Sequence, residues 1–143
     1  MPFKLVPVLT KKVFLELNSD EDPSNDTWVE IRQATQAEQE ARAEITATAT
    51  REYKTGSNVV AVTQRWTPEE QMRMEVFLTL AGTNILDENE KPVFVFRPVD
   101  GKKKLDMSME AFAAVWGHFP SSVAKAIHDA VLEVNPQWNP KVN

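Results

Sequence analysis

The chain has no cysteine, and this absence excludes several kinds of chemistry together. Without thiols it can form no disulfide, no thiolate metal site and no cysteine nucleophile. A chain without cysteine suits a reducing cytosol, although exported proteins can also lack it.

Glycine and histidine are also scarce. The four glycines are scattered, so no glycine-rich loop for a phosphate can be built. The two histidines, His118 and His128, form neither a His-x3-His nor a His-Glu-x2-His motif, so the usual zinc ligands on a helix are missing. The Gly-x-Ser-x-Gly motif of serine hydrolases is also missing. The adjacent carboxylates Glu69 and Glu70 are explained by the preference of acidic residues for helix N-termini. We therefore expect that the protein is not an enzyme and that it binds neither a metal ion nor a cofactor.

Long hydrophobic runs are missing too. No stretch reaches the roughly 18 apolar residues that a membrane-spanning helix needs. The first ten residues are apolar but are broken by Pro2 and Pro7, and no small-residue cleavage site follows them. These patterns predict no membrane partner and residence in the cytoplasm.

Length and composition are those of an ordinary globular protein. With 143 residues, 42% hydrophobic and 26% charged, the chain is expected to form a single domain over residues 1–143. Its formal charge of −5 argues against non-specific binding to nucleic acid. Three consecutive lysines at 102–104 could contact nucleic acid, but in an acidic chain they are interpreted as a solvated loop, so no nucleic-acid partner is expected.

The N-terminal part, residues 1–33, is predicted to be rich in strands. Residues 13–17 are β-favouring, and residues 28–32 alternate apolar and charged side chains. A polar, acidic segment joins them, so a hairpin is expected. The acidic segment lacks the residue order and the central glycine of a calcium loop, and it is interpreted as solvated.

The remainder, residues 34–138, is predicted to be mainly helical, with one strand near 92–97. Thr35 and Glu38 form one capping box, and Thr67 and Glu70 form another that has Pro68 at the first helical position. The threonines at 46, 48 and 50 argue against continuation of the first helix. The second helix is expected to reach residue 81 and to end at Gly82. Residues 59–62 are β-prone, and Trp66 could act as a hydrophobic staple.

Two aromatic-rich helices are predicted near the C-terminus. Ser108 is expected to cap the first, which ends at Gly117, and Ser121 or Ser122 the second. Apolar residues at 123, 127, 131 and 134 form a continuous stripe on the second helix, which Asn135 and the following proline end. The predicted fold class is α+β, with small N-terminal antiparallel strands, a mostly helical remainder and a C-terminal helical pair.

This helical pair is the candidate protein-binding module. Large aromatic and aliphatic residues serve either as core or as docking anchors, and the sequence leaves both interpretations open for the tryptophans. The residues predicted to bind a partner are Trp116, Phe119, Ile127, Val131, Val134 and Trp138.

Four motifs give the chain a family resemblance. They are the helix start Ala34-Thr35-x-Ala-Glu38 after an early strand, the segment Leu80-Ala-Gly-Thr-Asn-Ile85, the helix end Trp116-x2-Phe119-Pro120, and the final Ile127-His128-x5-Val134-Asn135-Pro136-x-Trp138. Over residues 26–138 these resemble tail assembly chaperones of long-tailed bacteriophages. The family pattern has Leu-Pro where this chain has Phe119-Pro120.

The resemblance implies a role in assembly. Such chaperones coat the long helical tape-measure protein and recruit tail-tube subunits that displace them, in the host cell cytoplasm. The family often produces a longer form by ribosomal frameshifting. The implied partners are the tape-measure protein and the tail-tube protein, and a homo-oligomer is left open.

Other functions are compatible with the same residues. A structural virion component, such as a minor tail or connector protein, is the main alternative. An enzyme or an unrelated bacterial binding domain are the others. A chaperone should be missing from purified particles, whereas a structural subunit should be present in fixed copy number.

Overall fold

The computed structural model describes residues 2–4, 9–50 and 67–139, and the side chains of residues 45–50 are outside this description. The predicted β-prone run at 59–62 and the predicted staple Trp66 also lie outside it. The α+β fold class is confirmed. The elements are β1 (Thr10–Phe14), β2 (Trp28–Arg32), α1 (Gln36–Thr50), α2 (Pro68–Thr79), β3 (Leu80–Thr83), β4 (Phe96–Val99), β5 (Lys102–Leu105), α3 (Met109–Trp116), α4 (Ser121–Val134) and a 3-10 helix (Pro136–Trp138).

The predicted N-terminal hairpin is confirmed. β1 pairs antiparallel with β2, and Val13 lies opposite Val29. β1 begins three residues earlier than expected and ends at Phe14, although the backbone N–H of Leu15 still donates to the carbonyl of Thr27 at 2.9 Å. Val29 and Ile31 of β2 are fully buried, whereas Trp28 and Glu30, which alternate with them, are half-buried. This alternation places one face of the sheet on the core.

A third strand, β3, completes this sheet and corrects a helix prediction. The helix that was expected to reach residue 81 ends at Thr79, and β3 pairs antiparallel with β2 in the order β1-β2-β3. Gly82 lies opposite Glu30 in the sheet and is not a helix C-cap. A Cβ at Gly82 would lie 2.6 Å from Glu30 Oε1, so the glycine makes room for this carboxylate. Pairing with β2 buries Leu80 and Ala81, and this overrides the local helical pattern.

The three lysines form a strand, contrary to the predicted loop. β4 pairs antiparallel with β5, so that Arg97 lies opposite Lys104. Asp100 and Gly101 connect the strands, with φ values of 52° and 78°. Positive φ at both central positions is the pattern of a two-residue hairpin turn, for which Asp-Gly is a preferred sequence. The described part of residues 34–138 therefore contains three strands, with β4 at 96–99, where one was predicted near 92–97.

This turn gives a stability prediction. Gly101→Ala should lower the free energy of unfolding by about 1–2 kcal/mol, because alanine is strained in the left-handed region. No atom lies within 4 Å of a Cβ at Gly101, so the loss would come from backbone strain and not from a clash. Urea denaturation measures it. Asp100→Asn is the matched control: it should change stability little, because asparagine also tolerates positive φ.

The N-termini of α1, α2 and α3 are capped by the residues that the sequence predicts. Both capping boxes are present: Thr35 Oγ1 accepts from the N–H of Glu38 at 3.2 Å, and Thr67 Oγ1 accepts from the N–H of Glu70 at 3.1 Å. Ser108 also caps α3 as predicted, and the helical pair is confirmed. Helix α1 continues to Thr50, so the expectation that its threonines would end it is wrong.

The start of α4 differs from its prediction. Pro120 occupies the N-cap position without a side-chain hydrogen bond, so neither Ser121 nor Ser122 caps the helix. The Ser122 hydroxyl instead donates to Glu21 Oε2 in the loop between β1 and β2. This contact joins the N-terminal hairpin to the C-terminal helix.

The core lies between the three-stranded sheet and helices α2, α3 and α4. Phe112 is at its centre, with its ring centroid 5.4 Å from that of Phe77 and 5.5 Å from that of Phe94. Trp116 stacks on Phe112 at 5.7 Å, and Phe119 meets both Phe94 and Trp116 edge-on. Ile127 and Val131 of α4 are fully buried beside this cluster.

Candidate functional site

The six residues predicted to bind a partner lie in or against the core. Trp116, Ile127, Val131 and Trp138 are buried, and Phe119 and Val134 are half-buried and pack against them. The stripe on α4 therefore contacts its own chain. A partner could reach the four buried side chains only if the core opened, whereas Phe119 and Val134 remain partly exposed. The binding role of all six residues stays a prediction.

A buried charged group joins three helices beneath Trp138. Glu75 of α2 is 2% exposed, and its carboxylate accepts from His128 Nε2 at 2.6 Å and from Arg42 Nε at 2.8 Å. Gln71 Nε2 donates to the same carboxylate at 3.3 Å. Burial alone would raise the pKa of Glu75, but the hydrogen bonds from His128, Arg42 and Gln71, with the charge of Arg42, outweigh burial and lower it. The carboxylate is thus held ionised.

Trp138 closes this network. Its indole Nε1 donates to Gln39 Oε1 at 2.7 Å, and the guanidinium of Arg42 lies 5.1 Å from its ring centroid. Trp138 therefore docks back onto α1 of its own chain, which is one of the two possibilities that the sequence left open for this side chain. The 3-10 helix after Asn135 positions the ring.

A second buried ion pair lies below β5. Arg32 is 2% exposed, and its guanidinium donates to Glu38 Oε2 at 2.9 Å and to the carbonyl of Lys103 at 3.0 Å. It also donates to the carbonyl of Leu78, while Arg32 Nε is buried without a partner in the described residues. Burial lowers the pKa of Arg32, and the charge of Glu38 partly offsets this effect. Lys104 Nζ lies 3.8 Å from the same Glu38 carboxylate.

Asn135, which was predicted to end α4, also makes two long-range hydrogen bonds that the sequence did not predict. It is 1% exposed, its Oδ1 accepts from the N–H of Ala34 at 2.8 Å, and its Nδ2 donates to the carbonyl of Arg32 at 3.1 Å. The side chain thus ties the end of α4 to the segment between β2 and α1. The Asn-Pro dipeptide carries no signal for this long-range role.

A cleft of about 250 Å³ lies over the Arg32–Glu38 pair, between α1, α2 and β5. We call it the helix cleft. Its wall is mostly apolar and its floor is charged, and Lys104 is only partly exposed at its edge. The residues that line it are Arg32, Ala37, Glu38, Ala41, Phe77, Leu78, Lys104 and Leu105.

A second cleft of about 270 Å³ separates β1 from α4, and we call it the edge cleft. Three carboxylates line it: Glu16, Asp129 and Glu133. Glu133 holds the ammonium group of Lys11 at 2.7 Å, and Asp129 holds that of Lys125 at 3.0 Å. Phe14 also lines this cleft and is 57% exposed, an unusual exposure for a ring on a strand.

Both clefts are smaller than about 300 Å³, the lower end for small-molecule sites, and suit one or two side chains of a partner better than a substrate. Within residues 2–4, 9–50 and 67–139, no group of three or more acidic or histidine side chains is placed to hold a metal ion. None of the helices in these ranges combines the length and the apolar character of a membrane span.

Comparisons with known proteins give no family to which the chain can be assigned. No protein-family model, no curated protein and no solved structure matches it.

Proposed function

We propose that this chain is a non-enzymatic tail assembly chaperone of a long-tailed bacteriophage, acting in the host cell cytoplasm. It would bind the tape-measure protein and recruit tail-tube subunits. The motifs between residues 26 and 138 suggest the family. The helix cleft is the structural feature that best supports binding of the tape-measure protein.

The helix cleft suits the apolar face of an amphipathic helix. Ala37 and Ala41 lie one turn apart on α1, and their small side chains leave space beside the half-buried Phe77 and Leu105. An incoming helix presents apolar side chains at positions three or four apart, and two of them could enter such a space. A tape-measure helix needs this cover, because an exposed apolar stripe promotes aggregation.

The charged floor of the cleft favours an exchangeable complex. Arg32 and Glu38 are already paired with each other, so an apolar side chain above them need not break an ion pair. A shallow site of this size gives weak binding, and many weak sites along a long partner give a stable coat that later subunits can displace. The net charge of −5 helps to keep the coated complex in solution.

A co-expression experiment tests this proposal. Ala41→Gln places a polar amide in the helix cleft, and we expect it to lower the soluble fraction of a co-expressed tape-measure protein from the same genome severalfold. Ala43→Gln is the matched control, because Ala43 is an exposed residue of the same helix that does not line the cleft. This control should retain the soluble complex.

Two results would count against the proposal. If the tape-measure protein is equally soluble with Ala41→Gln and with Ala43→Gln, the helix cleft does not bind it. Mass spectrometry of purified particles checks the role itself: a chaperone should be missing from them. A fixed copy number in every particle would instead indicate a minor tail or connector protein.

A further inference from the structure

The outer edge of β1 carries backbone groups that pair with no other strand in residues 2–4, 9–50 and 67–139. The N–H of Leu15 donates to the carbonyl of Thr27 at 2.9 Å, and the N–H of Gln33 donates to the carbonyl of Leu9 at 3.0 Å. In an antiparallel ladder hydrogen-bonded pairs alternate with non-bonded pairs, so the odd-numbered residues of β1 bond to β2. The N–H and C=O groups of Thr10, Lys12 and Phe14 therefore point away from β2. No strand of the described residues pairs with this edge.

The lysines of β1 do not protect this edge. Edge strands are commonly shielded from further pairing by lysine side chains. Here Lys11 reaches back to Glu133 at 2.7 Å, and Lys12 lies over the ring of Trp28 at 4.2 Å from its centroid. Both ammonium groups are thus engaged by their own chain. Leu9 and Phe14 remain 64% and 57% exposed at the same edge.

The sequence around Phe14 favours pairing with itself. In an antiparallel pair of identical strands centred on Phe14, the two Phe14 rings lie opposite each other and Lys12 lies opposite Glu16 on both sides. A register centred on Val13 places Lys12 opposite Phe14, and one centred on Lys12 places two lysines together. Aromatic pairs and opposite charges stabilise cross-strand positions, and like charges destabilise them. Only the first of these registers satisfies both conditions.

We propose that β1 pairs antiparallel with β1 of a second copy of this chain, about a two-fold axis at Phe14, to form a continuous six-stranded sheet. Such a dimer is isologous and closed. The pairing uses none of the residues that line the helix cleft, so the dimer and the proposed chaperone role can be tested separately. The matching segment is only five residues long, from Lys12 to Glu16, so association should depend on concentration in the micromolar range.

Cysteine trapping can test the register, because the chain has no cysteine of its own. In the proposed dimer the two Phe14 Cα atoms are about 5.5 Å apart, within the range for a disulfide. Phe14→Cys should therefore give a disulfide-linked dimer under mild oxidation. Lys12→Cys is the matched control: its two copies would be offset by four residues, or about 14 Å, and should crosslink at least tenfold more slowly.

Equal or faster crosslinking of Lys12→Cys would overturn this register. A mixture of Lys12→Cys and Glu16→Cys should yield the crosslinked heterodimer.

Sedimentation analysis supplies a second, independent measurement. Lys12→Glu and Glu16→Lys should each weaken dimerisation about tenfold, because two like-charge pairs replace two opposite-charge pairs. The double variant restores the opposite charges and should recover wild-type association. A wild-type chain that stays monomeric at all concentrations, or a double variant no better than either single one, would refute the proposed dimer.

Discussion

Phe112→Ala should lower the free energy of unfolding by about 3–5 kcal/mol, the usual cost of removing a buried aromatic ring. Phe112 is 0% exposed and its ring contacts those of Phe77, Phe94 and Trp116. Its removal leaves a cavity bordered by rings from α2, α3 and the segment before β4. These rings belong to different elements, so the cavity cannot collapse by movement of one side chain. Urea denaturation followed by tryptophan fluorescence measures the change.

Phe3→Ala is the matched control for this experiment. Phe3 is 85% exposed, so the same chemical change there should alter stability by less than about 0.5 kcal/mol. A loss below about 1 kcal/mol for Phe112→Ala would mean that the ring is not at the centre of the core. Removing Trp116 instead would also remove a fluorescent reporter, which makes Phe112 the better test.

Local signals explain which parts of the fold could be predicted. A capping box needs only residues that are three positions apart, and Thr35–Glu38 and Thr67–Glu70 both form as the sequence indicates. The hairpin of β1 and β2 follows from two β-prone segments with a polar connection. The apolar stripe of α4 is also a local property, and Ile127 and Val131 are buried as its period requires.

Elements that depend on distant partners were missed. β3 is a strand because it pairs with β2. Its own sequence is equally compatible with the last turn of a helix. β5 is a strand because the Asp100–Gly101 turn folds it onto β4, whereas its three lysines were expected to form a solvated loop. In both cases pairing across the sheet outweighs local preference.

The candidate site was harder to predict for a related reason. Periodicity shows that a face is apolar, but it cannot show whether the chain itself or a partner covers it. Trp138 illustrates this, because its indole N–H donates a hydrogen bond to Gln39, which lies on α1, 99 positions earlier in the sequence. The exposed ring of Phe14 and the open edge of β1 become visible only once β2 and β3 are placed on one side of the strand.

Glu75→Ala should lower the free energy of unfolding at pH 7 by about 3 kcal/mol, the low end for breaking a buried ion pair. The loss arises because Arg42 and His128 keep their positions between helices but lose the carboxylate that both contact. Glu69→Ala is the control. Glu69 is exposed in the first turn of the same helix, and its removal should cost no more than about 1 kcal/mol.

The pH dependence follows from the direction of the pKa shift. The pKa of Glu75 is lowered below its ordinary value of 4.5, because the hydrogen bonds from His128 and Arg42 outweigh the effect of burial. A carboxyl group with a lowered pKa stabilises the folded state above that ordinary value, and this contribution disappears as the pH falls through the folded-state pKa. Glu75→Gln carries no titrating group there, so the difference in stability between wild type and this variant should be largest above pH 4.5 and should shrink below it. Urea denaturation from pH 3 to pH 7 measures this difference. A constant difference across that range would show that Glu75 is not ionised in its contacts with Arg42, His128 and Gln71.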